Sequence, residues 1–227
     1  MGLLELQKES LAYKETALSH EGHEHPAHDF DWVRYRFTAL FVCNNKKCME
    51  VASVAGSGGL DEEHDWENQD ISYTPYFFPE YFMPSPAIIP VPAGTPEEIK
   101  EELALSFSAY WGDPSAAANK VRLAVERLLD HRRITNFAVR NGRRRRKSLH
   151  ERIEDFKAKQ PDLAECLLAI KWLGNAGSHP EGLSREDMLD AYEILQHVLE
   201  ELYVARRARA AALARGINRR KGAKKKR

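Results

Sequence analysis

The chain has 227 residues, 43% of them hydrophobic and 30% charged, a globular balance that excludes disordered, fibrous and collagen-like classes. Its 34 Lys and Arg match its 34 Asp and Glu, so any affinity for a charged partner must come from local clusters rather than net charge. No apolar run approaches the roughly 20 residues of a membrane-spanning helix, and three cysteines (Cys43, Cys48 and Cys166) are too few for a disulfide framework, so a soluble, cytoplasmic protein is expected.

The opening stretch MGLLELQKESLAYKE interleaves charges with apolar residues and lacks the continuous apolar core of a secretory signal. It leads into SHEGHEHPAHD, and residues 1–29 are expected to form at most a short helix followed by a flexible His-rich segment. In RYRFTALFVC, Tyr35, Phe37, Ala39 and Phe41 alternate with Arg36, Thr38 and Leu40, close to the period of a strand. MEVASVAG follows after the polar NNKK, and the pair predicts a β-hairpin module over 30–70 with Cys43 and Cys48 at its mouth. GSGGLDEEHDWENQD reads as a polar loop. In residues 71–95, prolines at 75, 79, 84, 86, 90 and 92 forbid a regular helix. The interleaved Tyr, Phe and Ile still require burial, which predicts an extended strap laid over a helical domain.

Residues 96–205 carry the helix signals. Thr95-Pro96-Glu97-Glu98 reads as a helix start that runs to about Tyr110, and Asp113-Pro114 begins a second helix with Ala117, Val121, Ala124, Val125, Leu128 and Leu129 at helical spacing. RRITNFAVRNGRRRRK reads as a loop. Ser148 to Glu151 is a capping box opening a third helix, Pro161 starts a fourth, and Ser184 to Asp187 opens a fifth with Leu189, Tyr192, Leu195, Val198, Leu199 and Leu202 on its stripe. Residues 206–227 contain no acid and read as a disordered basic tail. The expected class is therefore α+β and mainly α: a five-helix bundle preceded by a small hairpin module and a Pro-rich strap.

Two chemistries stand out from the residues alone. Cys43 and Cys48 have the C-x4-C spacing of half a zinc site, and a pair from His20, His23, His25 and His28 (His23 and His28, for example) would complete it; the plain alternative is two reduced thiols and a solvated His run. The basic run Arg143, Arg144, Arg145, Arg146 and Lys147, with Arg219, Arg220 and Lys221 of the tail, could neutralise phosphates of RNA or DNA, or could simply be solvated. No phosphate-cradling Gly-rich loop, dinucleotide fingerprint or nucleophile triad is present.

The segments YFFPEYFMPSPAIIPVP, DPSAAANKVRLAVERLLD, SLHERIEDF, LLAIKWLGNAGSH and LDAYEILQHVLEELY resemble the bacterial family called domain of unknown function 4145, over about Arg34 to Tyr203. That resemblance implies a HEPN-like helical bundle, a superfamily that includes ribonucleases of defence and toxin–antitoxin systems and non-catalytic binding or dimerisation modules. The active members carry an Arg four to six residues before a His. Here the implied His is His179 with Asn175 as its polar companion, Gly174 stands at the Arg position, and the nearest upstream base is Lys171. The departure favours a non-catalytic module that contacts nucleic acid or a protein partner, or forms a homodimer. A metal-independent ribonuclease using His179, Asn175 and Lys171 is the alternative, and a protein-interaction scaffold without nucleic acid is a third.

Overall fold

The computed structural model describes residues 2–65, 67–140, 142–176, 183–204 and 206–221. About 47% is helix and 26% strand, with seven helices and seven strands among the described residues. This corrects the expected mainly helical five-helix bundle. Two compact units are present, residues 1–86 with 107–113, and residues 87–106 with 114–227.

The first unit is a curled antiparallel sheet of β1 (Leu4–Leu6), β2 (Ala12–Glu15), β3 (Tyr35–Cys43), β4 (Val51–Asp65) and β5 (Asp70–Met83). A six-residue helix, α1 (Ala17–Gly22), connects β2 towards β3. Strand β3 is central: β1 and β2 pair along one side of it and β4 along the other. Its alternation is honoured, with Phe37 and Ala39 buried while Arg36, Thr38 and Leu40 face out. Phe37, Ala39 and Val54 form the core, packed by Leu11, Phe41, Phe77 and Phe82.

Two segments departed from their sequence reading for one shared reason. GSGGLDEE is part of β4, not a loop, and residues 70–83 are β5, not a strap. Gly58, Gly59 and Ser57 of β4 stand opposite Phe77, Tyr76 and Phe78 of β5. A Cβ at Gly58 would lie 2.3 Å from the Tyr76 carbonyl oxygen, so small residues on one strand make room for the aromatic residues on the next. The register shifts at Ala55/Gly56. Pro75 and Pro79 are tolerated because β5 is an edge strand, where a missing N–H can face away from the ladder.

The second unit contains α2 (Glu97–Tyr110, whose last residues belong to the first unit), α3 (Pro114–His131), α4 (Leu149–Lys157), α5 (Pro161–Ala176), α6 (Arg185–Tyr203) and α7 (Arg206–Arg220). Helix α5 packs against α3, α4 and α6, burying Leu128, Leu129, Ile153, Phe156, Leu167, Leu195 and Leu199 almost completely. Both capping boxes form, Ser148 with Glu151 and Ser184 with Asp187. In the core the Ser106 hydroxyl donates to the Ala117 carbonyl at 2.9 Å and lies 2.6 Å from the Tyr192 hydroxyl, so these buried polar atoms are satisfied. Residues 206–220 form a helix where a disordered tail was expected. The expected loop between α3 and α4 is a two-stranded ribbon, β6 (Phe137–Arg140) and β7 (Arg143–Arg146). Among the described residues no helix is long and apolar enough to cross a membrane.

Candidate nucleic-acid interface

Strand β7 consists of four consecutive arginines, all exposed. Antiparallel pairing sets Phe137 opposite Arg146, Ala138 opposite Arg145 and Val139 opposite Arg144. Because alternate residues face opposite ways, Phe137, Val139, Arg144 and Arg146 share one face while Arg143 and Arg145 occupy the other. The first face is amphipathic: Val139 is 74% and Phe137 42% exposed, and the Arg144 guanidinium lies over the Phe137 ring at 3.7 Å. The connection carries Gly142 at φ 72°, a left-handed conformation that suits glycine.

The base of the ribbon is tied down. Lys147 N–H donates to the Asn136 carbonyl at 2.8 Å. Arg145 grips Glu151 with both amino groups, one at 2.9 Å, and Glu151 also accepts from Ser148 N–H at 2.9 Å. One carboxylate thereby joins β7 to the capping box of α4. The Arg145 hydrogen bonds first, then the Ser148 N–H, hold the Glu151 carboxyl down at about 2. Behind the ribbon, buried Arg152 donates to Asp130 at 2.7 Å and to the Ile134 carbonyl at 3.2 Å, fixing α4 to the end of α3.

Not every cation is equally available. Arg145 and Lys147 are paired with Glu151 and Asp155, and Arg146 lies 3.6 Å from Glu126. Among the described residues neither Arg143 nor Arg144 has a carboxylate partner, and Arg144 lies against the Phe137 ring. Of the cations on the ribbon, these two are the least engaged with carboxylates. Helix α7 presents Arg215, Arg219 and Arg220, with Leu213 and Ile217 one turn apart and exposed, and Lys221 follows it. Residues 206–227 hold eleven Arg and Lys and no acid.

The other anticipated groups are placed as follows. Lys171 and Asn175 lie one turn apart on α5. The Lys171 ammonium sits over the neighbouring Trp172 ring at 3.3 Å. Gly174 is inside the helix, and His179 lies outside the described residues. Cys43 is buried at the end of β3 and Cys48 is exposed in the following turn, both as free thiols. His23 and His28 stack edge to face at 4.7 Å. Among the described residues, the group whose ligand atoms come together is Glu15, His20 and His23. Glu15 stands outside the His tract, five residues before His20, and composition alone does not join it to the histidines. Cys166 is half-buried on α5, and burial pushes its thiol up.

A sheet unit and a helical unit that displays a basic ribbon define the class of this protein. The chain belongs to the family described as Domain of unknown function (DUF4145), which matches residues 106–220 from the end of α2 through α7. A second family, Domain of unknown function (DUF8608), matches residues 1–82, the span of the sheet. No curated protein matches the chain. No solved structure matches it either.

Proposed function

We propose that this protein is a non-catalytic module that contacts nucleic acid through the phosphate backbone, using the β6–β7 ribbon and the basic helix α7. The observation that carries the reading is the ribbon itself: four exposed arginines in one short strand, on both faces, with Arg143 and Arg144 uncommitted to carboxylates among the described residues. A two-stranded ribbon is about 5 Å between backbones, and the roughly 12 Å major groove of a B-form duplex admits such an object. The narrow major groove of A-form RNA does not. Contacts of guanidinium with phosphate give affinity and register without base readout. The exposed Phe137 and Val139 supply apolar contact on the same face. The match to the DUF4145 family is in keeping with this reading, since resemblance to that family implies a HEPN-like bundle and some such bundles are binding modules.

The test is fluorescence anisotropy with a labelled duplex DNA and a single-stranded RNA of equal length, in EDTA, across a salt series. Binding that weakens steeply with salt and falls on substitution of Arg143 and Arg144 supports the reading. No binding at 50 mM salt, or binding indifferent to salt, overturns it and leaves a protein-interaction scaffold. RNA cleavage that disappears in His179→Ala would establish a ribonuclease instead.

A further inference from the structure

We propose that Glu15, His20 and His23 form a binding site for a divalent late first-row transition ion of the zinc type, built into the connection between β2 and β3. This site lies in the sheet unit and is independent of the nucleic-acid reading. Glu15 ends β2, and Thr16 caps α1, its hydroxyl accepting from Ser19 N–H at 3.3 Å. One turn later His20 and His23 stand three residues apart, which places them on the same side of the helix end. The side-chain ligand atoms of all three lie within 4.8 Å of one another.

The carboxylate is held from behind. Ser19, 4% exposed, donates its hydroxyl proton to Glu15 Oε1 at 2.6 Å and accepts from Arg34 N–H at 3.1 Å. An outer hydrogen bond of this sort orients a metal-ligating carboxylate. His23 Nε2 lies 2.7 Å from the same Oε1. Ion-to-donor bonds of about 2.0–2.2 Å in a tetrahedral site need donors about 3.3 Å apart. Both imidazoles are exposed, so their side chains have room to rotate to such a spacing.

The four histidines of the tract are not equivalent. His25 is turned away, its Nδ1 accepting from Ala27 N–H at 3.1 Å, with its ring 5.3 Å from Trp32. His28 packs against His23 but is not among the side chains whose ligand atoms come together, so the fourth position of a tetrahedral ion would fall to water. Two imidazoles and a carboxylate suit zinc, cobalt, nickel or copper and not calcium or magnesium. A bound ion would clip β2 and α1 together at the edge of β3. The anticipated pair Cys43 and Cys48 takes no part.

The experiment uses the full chain, stripped with EDTA and dialysed. Co²⁺ is added while its visible ligand-field absorption is read, and Zn²⁺ is then titrated by calorimetry. The expected result is one ion per chain, with Glu15→Gln and His23→Ala each raising Kd at least about 10-fold. His25→Ala, and Cys43→Ser combined with Cys48→Ser, should leave Kd unchanged. Circular dichroism confirms that each variant is folded, and His20→Ala serves as a second ligand variant. The proposal is overturned if binding does not saturate at one ion. It is equally overturned if Glu15→Gln binds as tightly as the parent, the behaviour of a loose His run, or if the cysteine double variant loses the ion.

Discussion

Replacing Arg143 and Arg144 together by Ala removes the two ribbon cations that no carboxylate among the described residues already claims. Arg145, Arg146 and Lys147 remain paired to Glu151, Glu126 and Asp155, and surface pairs of this kind, with Lys147 and Glu126 half-buried, are worth about 0–1 kcal/mol each, weak enough for phosphate to displace. If all four arginines of β7 contact phosphates of a duplex, log K falls with log salt at a slope of about −3.6 from the ribbon alone, at −0.9 per phosphate. From 50 to 200 mM salt this is a loss of about 150-fold. With two contacts left the ribbon slope is about −1.8 and the loss about 12-fold. Cations of α7 and beyond add equally to both proteins, so the difference in slope of about 1.8 is the quantity to read. The assay is anisotropy of a labelled duplex at several salt concentrations, with a thermal melt to confirm that the variant is folded. Equal slopes for parent and variant would refute phosphate contact by the ribbon, whatever the absolute affinity.

Three further outcomes follow from geometry. Arg152→Ala leaves Asp130 and the Ile134 carbonyl without their buried donor, and since Asp130 is partly exposed the loss should be about 2–3 kcal/mol, read as a lower midpoint in urea; an unchanged midpoint would show that the buried guanidinium is not an anchor. Gly58→Ala forces a Cβ to 2.3 Å from the Tyr76 carbonyl oxygen and should cost about 1–3 kcal/mol, with hydrogen exchange accelerated in β4 and β5. Glu151, held at about 2 by Arg145 and Ser148, lies below its ordinary value of 4.5, so its stabilising effect is complete above about 4.5 and is lost as pH falls through about 2. Carboxyl NMR should place its titration there and show it moving up towards the ordinary range in Arg145→Ala; a titration in the ordinary range in the parent would contradict the pairing.

The helices were legible where the chain states its own boundaries. Pro114 begins α3, and the capping boxes at Ser148 and Ser184 begin α4 and α6, because these signals act through backbone groups within a single turn. Strand β3 was legible from its alternation. The start of β4 was legible too, as the second strand of the hairpin; the rest of β4 and β5 were not, because each looks wrong alone: one is rich in glycine and the other carries proline. Only when Gly58 and Gly59 stand opposite Phe77 and Tyr76 does the glycine become the partner of the aromatic ring, and only at an edge is the proline harmless. Strand propensity is a property of pairs, and a single sequence does not display the pairing.

The candidate sites divide in the same way. The basic run was visible as charge, yet its strand was not expected, although Asn141-Gly142 between FAVR and RRRR is the local signature of a tight hairpin. Runs of like charge usually mean solvent, and here the repulsion is relieved by Glu126, Glu151 and Asp155, which come from α3 and α4. The His tract was visible as composition, but composition cannot tell His25 from His23. That distinction arises because β2 pairs with β3, which brings Arg34 N–H to Ser19 and so directs Ser19 at Glu15. If this is what makes the site, metal affinity should depend on Ser19 as well as on the ligands. Ser19→Ala removes the hydroxyl while leaving both imidazoles and the carboxylate in place, and loss of an outer-shell partner weakens such sites by about 10- to 100-fold. A Ser19→Ala protein that binds Co²⁺ as tightly as the parent would show that the carboxylate needs no orientation, and that the fold contributes only proximity.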